Sequence, residues 1–258
     1  MNRPVLKSCR RIVVKVGSSS ISGPNSSKIA GLVDTLTELY ASGCQVVLVS
    51  SGAIATGIPI LKLESRPDDL ATQQAAAAVG QSVLVHRYQE ELNRYNIVGA
   101  QVLLTAGDML NATHKSNAKQ AMERLLGLGV LPIVNENDTV ATHEIRFGDN
   151  DHLAALVANL VEADVLVLLS DTDALYTKPP KLPGAERIDV VEYGDTLATV
   201  ETGEAGSGWG TGGAVTKVAA ARLATESGTG VLLTATDQFS TLLAGEKIGT
   251  WFEPAQLS

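Results

Sequence analysis

Two lysines and one acidic cluster carry the chemistry that this sequence offers. Lys15 sits near the end of the run RIVVKVG, where a strand would ordinarily place an apolar side chain. Lys217 ends GTGGAVTK, where glycines run into a helix start. Between them, NENDTVATHEIRFGDND crowds Asn135, Asp138, Asp149, Asn150 and Asp151 ahead of a strongly apolar helical pattern. Ammonium groups beside glycine turns suit a polyanion such as phosphate. Carboxylates with amides suit a small zwitterion, because acids accept from its ammonium and amides donate to its carboxylate.

Each motif has a plainer alternative. Lys15 could be a snorkelling lysine at a strand end; the functional reading is an ammonium facing phosphate, with Gly17 permitting a sharp turn or a close approach. GSGWGTGG contains G-x-G-x-x-G, but the residues before it are not strand-like and it lies late in the chain, so a dinucleotide fingerprint is disfavoured. A flexible loop or an anion-binding loop is left. The second is favoured because Thr216-Lys217 opens a helix, whose N-terminus adds positive potential. The Walker spacing G-x-x-x-x-G-K-[ST] is absent from the sequence. VSSGAIATG is a Ser/Gly turn unless its place after a strand makes Ser51 and Gly52 ligand contacts. Ser170 and Asp171 in SDTDALYT could cap a turn or line a nucleotide site.

The acidic cluster could be a solvated loop, with Asp149 or Asn150 capping a helix that starts near Asp151. A calcium loop does not fit, since the D-x-[DN]-x-[DN]-G pattern is missing. Zinc does not fit either, with His143 and His152 nine residues apart and no HExxH. A paired-carboxylate glycosidase would need an aromatic platform, and aromatic residues make up only 4% of the chain.

These residues need a scaffold. At 258 residues with 45% hydrophobic content, the chain can bury one large α/β core. A net charge of -8 argues against a nucleic-acid surface, although a pocket can still be locally positive. Cys9 and Cys44 have no metal or redox spacing and read as free thiols in a reducing compartment. Lys15 interrupts the N-terminal apolar run, so no signal peptide is expected, while a short mitochondrial presequence is left open. No run reaches the ~20 apolar residues of a membrane span. A cytoplasmic protein is expected.

RIVVKVG, QVVLVSS, AQVLLT, VLPIVNE, DVLVLLSD and GVLLTA are strand-length runs, apolar on both faces as buried parallel strands are. Helical spacing appears at Ile29, Leu32, Val33, Leu36 and Tyr40, and at Leu153, Leu156, Val157, Leu160 and Val161. The alanine-rich segments 71–92 and 214–226 read as further helices, and 178–212 as loops around a short strand near Ile188–Val191. The alternation predicts an αβα sandwich around a mostly parallel central sheet, whose ligands sit beyond the carboxyl ends of the strands.

KVGSS, VSSGAIATG, IVNENDTVAT, EIRFGDND, SDTDALYT and GTGGAVTK, in this order from Lys15 to Lys217, resemble the motifs of the amino acid kinase family. NENDTVAT with EIRFGDND is the specific part. The resemblance implies one domain over 1–258, with an amino-acid-binding part at roughly 1–163 and a nucleotide-binding part at roughly 164–258. It implies phosphoryl transfer from Mg-ATP to the side-chain carboxylate of L-glutamate, giving L-glutamyl 5-phosphate, the first step of proline biosynthesis. Lys15 and Lys217 would contact the phosphates and Asp151 would orient both. Ser51, Asp138 and Asn150 would hold glutamate, with Gly52, Asn135 and Asp149 nearby. Gly17, Ser170, Asp171, Thr211, Gly212, Gly213, Ala214, Val215 and Thr216 would line the nucleotide site with the two lysines. Mg²⁺ would arrive with the nucleotide rather than on a protein-held site. Proline as feedback inhibitor and a homo-oligomer are further implications.

The chain departs from the family pattern in three places. Ala214 stands where GTGGM is usual, Arg146 replaces a frequent lysine, and the PUA domain that many bacterial relatives carry is not expected after Ser258. The competing readings are a sibling kinase acting on another carboxylate and an amino-acid sensor without turnover. An acetylated amine would not need an acid, and an acceptor phosphate would need more basic residues than Arg146 alone. A sensor would need no pair of lysines for phosphate.

Overall fold

The computed structural model describes residues 3–141, 150–198, 200 and 214–256. Its centre is strand β1 (Arg11–Val16), buried along its whole length. The chain continues through α1 (Ser18–Ile21), α2 (Lys28–Ala41), β2 (Gln45–Ser50), α3 (Ala53–Ile60), α4 (Leu70–Asn93), β3 (Gly99–Leu104), α5 (Ala106–Leu110), α6 (Ala112–Gly127) and β4 (Leu131–Glu136). After α7 (Asn150–Leu160) come β5 (Val165–Ser170), β6 (Leu175–Tyr176), β7 (Arg187–Ile188), β8 (Val190–Val191), α8 (Ala214–Glu226), β9 (Gly230–Ala235), α9 (Phe239–Leu243) and β10 (Thr250–Phe252). Eight strands form one sheet in the order β3-β4-β2-β1-β5-β9-β10-β8, and β6 pairs with β7 apart from it.

The six strands expected from aliphatic runs all form, and they pair parallel with one another. Their carboxyl ends therefore lie along one edge. Val16 is in register with Ser50 and Leu169, and Ser170 with Ala235. Strand pleating sends alternate residues to opposite faces. Ile12, Val14, Leu48 and Val167 pack with α2, α4 and α9 residues on one face, while Val13, Val49, Leu166 and Leu233 pack with α7 and α8 residues on the other. This is the expected αβα sandwich.

Two expectations need correction. β3 is an edge strand with Gln101 exposed, so it is not buried on both faces. The short strand near Ile188–Val191 is two separate two-residue strands, β7 and β8, that belong to different sheets. Asp189 separates them, and its carbonyl accepts from Trp251 N at 2.9 Å where β8 joins β10. Cys9 and Cys44 are free, as expected, and both are buried.

Two glycines set how α3 meets α4. A Cβ on Gly57 would lie 1.9 Å from the Ala76 carbonyl oxygen, and one on Gly80 would lie 1.8 Å from that of Ala53. No side chain fits at either crossing, so the two helix backbones touch directly. α4 in turn meets β2 through Tyr88 at Ser50 and β4 through Gln81 at Asn135. Asp69 caps α4 by accepting from Thr72 N at 2.8 Å.

Candidate functional site

Lys15 is the penultimate residue of β1 and only 4% exposed. It shares its face of the strand with Val13, which packs against α7 and α8 residues. Asp151, in the first turn of α7, is completely buried. Its Oδ1 lies 2.5 Å from Lys15 Nζ, and its Oδ2 accepts from Lys217 Nζ at 2.9 Å and from Thr216 Oγ1 at 3.2 Å. Lys217 is 8% exposed in the first turn of α8. A lone buried carboxylate would be strongly disfavoured, but two ammonium partners make the triad net positive. The snorkelling alternative for Lys15 fails, because its amine is paired inward rather than carried out to water. Gly17 does not make a sharp turn; its backbone is extended (φ -80, ψ 159), and a Cβ there would sit 3.8 Å from Lys15 Nζ. A Cβ at that distance would make only an ordinary contact with the amine.

A second cluster joins the first through the Asn150-Asp151 peptide. Asn150 Nδ2 donates to the Ser50 carbonyl at 3.0 Å and to Asn135 Oδ1 at 2.7 Å. Asn135 Nδ2 donates to Gln81 Oε1 of α4 at 2.7 Å, and Asn135 Oδ1 also accepts from Glu136 N at 2.9 Å. Ser50 Oγ shares a hydrogen bond with Tyr88 Oη at 2.9 Å, and burial pushes that phenol's pKa upward. Asn150 is the first residue of α7, so it does not occupy the flanking cap position that the sequence allowed for it.

Ser51 and Gly52 are half-buried just beyond β2. Ser51 N donates to the Val16 carbonyl at 3.1 Å, which ties this turn to the end of β1. Gly52 has φ +108, and a Cβ there would lie 2.8 Å from Ser22 Oγ, so this position demands glycine. Asp138 is half-buried in the turn after β4, which Val140 N closes on the Asn137 carbonyl at 3.1 Å.

Beyond β5, Ser170 is half-buried and Asp171 exposed. Ser19 Oγ lies 3.1 Å from both carboxylate oxygens of Asp171, joining the loops after β1 and β5. Ser170 Oγ accepts from Thr172 N at 3.4 Å, so part of the turn-forming alternative holds. Thr236 Oγ1 stands 2.8 Å from Ser20 Oγ and 3.4 Å from the Ser170 carbonyl oxygen, which adds the end of β9. Ala214 is buried and Val215 exposed at the start of α8. Asp149, Thr211, Gly212 and Gly213 lie outside the described residues, as does Arg146.

The structure thus brings Lys15, Asp151, Thr216 and Lys217 into one cluster and Asn135 and Asn150 into an adjoining one. Gln81, Tyr88 and Ser50 belong to the second cluster; Ser50 lies within VSSGAIATG without a role assigned to it, and Gln81 and Tyr88 fall outside every motif. The available signal was a glutamine and a tyrosine seven residues apart within an alanine-rich helix, on the face that Leu84 buries.

The Amino acid kinase family model matches residues 10–234. The chain is 70% identical to the glutamate 5-kinase of Clavibacter michiganensis subsp. michiganensis over 98% of this chain and 98% of that one. It is also 70% identical to the glutamate 5-kinase of Leifsonia xyli subsp. xyli over 99% of this chain and 95% of that one. Among solved structures, the carbamate kinase from Giardia lamblia bound to AMP-PNP gives a TM-score of 0.69 at 15% identity, covering 96% of this chain and 100% of that one. At that identity the likeness speaks for the fold alone.

Proposed function

The chain belongs to the amino acid kinase family, and we propose that it transfers the terminal phosphoryl group of ATP to the side-chain carboxylate of L-glutamate. The product is L-glutamyl 5-phosphate, the first intermediate on the way to proline. One geometric observation carries the chemistry: a fully buried carboxylate, Asp151, binds both Lys15 and Lys217 at the carboxyl edge of the sheet.

The acceptor is already an anionic nucleophile, so no general base is required. The obstacle is charge. Two like unit charges at 4 Å repel by about 4 kcal/mol at an effective dielectric of about 20. Lys15 and Lys217 offset that repulsion at the phosphates, and Asp151 fixes their positions before substrate arrives. Sealed from solvent and engaged on both oxygens, Asp151 orients the amines rather than moving a proton.

We assign the phosphate end to Lys15, Gly17 and Lys217, with Ser170, Asp171 and the residues from Thr211 to Thr216 around the nucleotide. We assign the acceptor end to Ser51, Gly52, Asn135, Asp138, Asp149 and Asn150. On this assignment, roughly 1–163 serve the amino acid and roughly 164–258 the nucleotide. Among the described residues no group of three or more His, Cys, Asp or Glu stands ready to hold an ion. The exposed carboxylate of Asp171 suits a Mg²⁺ that is carried largely by the triphosphate. Bound there, the ion would neutralise phosphate charge. No helix among the described residues is long and apolar enough to cross a membrane, and we read the enzyme as cytoplasmic. Proline as feedback inhibitor and assembly into a homo-oligomer rest on the family resemblance.

A hydroxylamine trap tests the reaction. Incubated with Mg-ATP, the protein should form hydroxamate with glutamate and little with aspartate or N-acetylglutamate. Hydroxamate from one of the other acids, and none from glutamate, would overturn the substrate.

A further inference from the structure

Gln81 is a buried amide in the middle of α4. It is 8% exposed, and the backbone beside it is fixed by the contact of Gly80 with the Ala53 carbonyl. Its Oε1 accepts from Asn135 Nδ2 at 2.7 Å. Its Nε2 is buried and finds no acceptor among the described residues. The side chain is therefore held by one specific bond, and that bond leads toward the site rather than into the core.

The consequence follows along the amides. Asn135 directs its nitrogen to Gln81, so its oxygen faces Asn150, where Glu136 N also supports it. Asn150 then commits both protons of Nδ2, one to Asn135 Oδ1 and one to the Ser50 carbonyl. The group that the Asn150 side chain can still offer a ligand is its oxygen, an acceptor, so this amide does not donate to a substrate carboxylate as the sequence pattern suggests for amides. Turning the Asn150 amide over would set its oxygen against both the Ser50 carbonyl and Asn135 Oδ1, and Gln81, together with Glu136 N, keeps Asn135 Oδ1 in that place.

We propose that Gln81 is a positioning residue which, through Asn135, fixes the Asn150 amide with its oxygen toward the substrate, and so selects an amino acid with a free ammonium group. This rests on the assignment of Asn150 to the acceptor end. An acylated amine has lost two of the ammonium's protons and gained a bulky carbonyl, and it suits that oxygen poorly.

The test compares wild type, Gln81→Met, Asn135→Ala and the double variant, with ATP and with glutamate or N-acetylglutamate. Gln81→Met keeps the length of the side chain and removes its acceptor. It should raise KM for glutamate at least fivefold, leave KM for ATP within twofold, and narrow the preference for glutamate over N-acetylglutamate. In the Asn135→Ala background the same change should add less than twofold, because the relay is already cut. Independent, multiplicative effects in the two backgrounds would overturn the proposal, as would equal shifts for ATP and glutamate. Gln81→Asn, one methylene too short to reach Asn135, repeats the test if the methionine variant does not fold. Failure of both to fold would make Gln81 a structural residue and end the proposal. Wild-type hydroxamate formation with glutamate, measured first, judges the substrate assignment separately from the relay.

Discussion

Lys15 Nζ and Asp151 Oδ1 stand 2.5 Å apart as a buried pair, although one belongs to the central strand and the other lies in the first turn of a helix after β4. The other oxygen of Asp151 holds Lys217. Removing this negative charge leaves two ammonium groups around a neutral side chain that cannot balance them. Asp151→Asn should lower turnover by a hundredfold or more. It should also reduce stability by roughly 3 kcal/mol, the usual scale for breaking a buried ion pair. Initial rates at saturating substrates and a thermal melt check the two effects. Turnover and melting temperature both near wild type would remove Asp151 from the mechanism.

Lys217→Ala separates charge on phosphate from protein stability. Loss of one preorganised charge-stabilising donor costs about 3–4 kcal/mol of barrier, or roughly a hundredfold to a thousandfold in turnover. Asp151 would still keep Lys15 as its partner, so the fold should survive better than in Asp151→Asn. The measurement is kcat at saturating Mg-ATP and glutamate. A value within twofold of wild type would contradict a phosphate-facing role.

The strands were readable from sequence for a physical reason. β1, β2, β4, β5 and β9 are apolar on both faces because helices cover both, and a charge within such a run, as at Lys15, stands out; that Lys15 and Lys217 meet on Asp151 is implied by the family resemblance and not by spacing. The hydrogen bonds that join Gln81 to Asn135 and Tyr88 to Ser50 were not readable. Gln81 and Tyr88 sit within an alanine-rich helix whose polar positions could equally face solvent, and only the position of β4 and β2 against α4 turns them inward. Gly57 and Gly80 were equally silent, since a glycine in a helix says nothing about which carbonyl approaches it. β3 has the composition of an inner strand, and its place at the edge depends on the order in which strands join the sheet.

Asp138 tests the division of the site into two ends. It lies in the turn after β4, beside the strand that carries Asn135 and away from the α8 lysine in sequence. Asp138→Ala should raise KM for glutamate strongly while leaving KM for ATP little changed, the pattern expected when a substrate contact is lost. Steady-state titrations of each substrate with the other saturating distinguish the outcomes. An unchanged glutamate titration with weakened ATP binding would mean that the two ends have been exchanged.

The crossing of α3 and α4 lies next to Gln81, behind the proposed acceptor end, and one added methyl group tests whether it supports that end. Gly80→Ala would drive a Cβ to 1.8 Å from the Ala53 carbonyl oxygen, so the helices must separate. Overpacking of this kind typically costs about 1–3 kcal/mol. For a chain of this size each kcal/mol lowers the melting temperature by roughly 2–4 °C. Gly31→Ala is the matched control: Gly31 is an exposed residue in α2, and a Cβ there meets nothing within 4 Å. That change should stabilise by about 0.4–1 kcal/mol, because alanine loses less backbone freedom on folding. Paired thermal melts should therefore move in opposite directions. Because Gln81 follows Gly80 directly, Gly80→Ala should also raise KM for glutamate more than KM for ATP. A lowered melting temperature with both Michaelis constants unchanged would show that α4 braces the fold without setting the acceptor site.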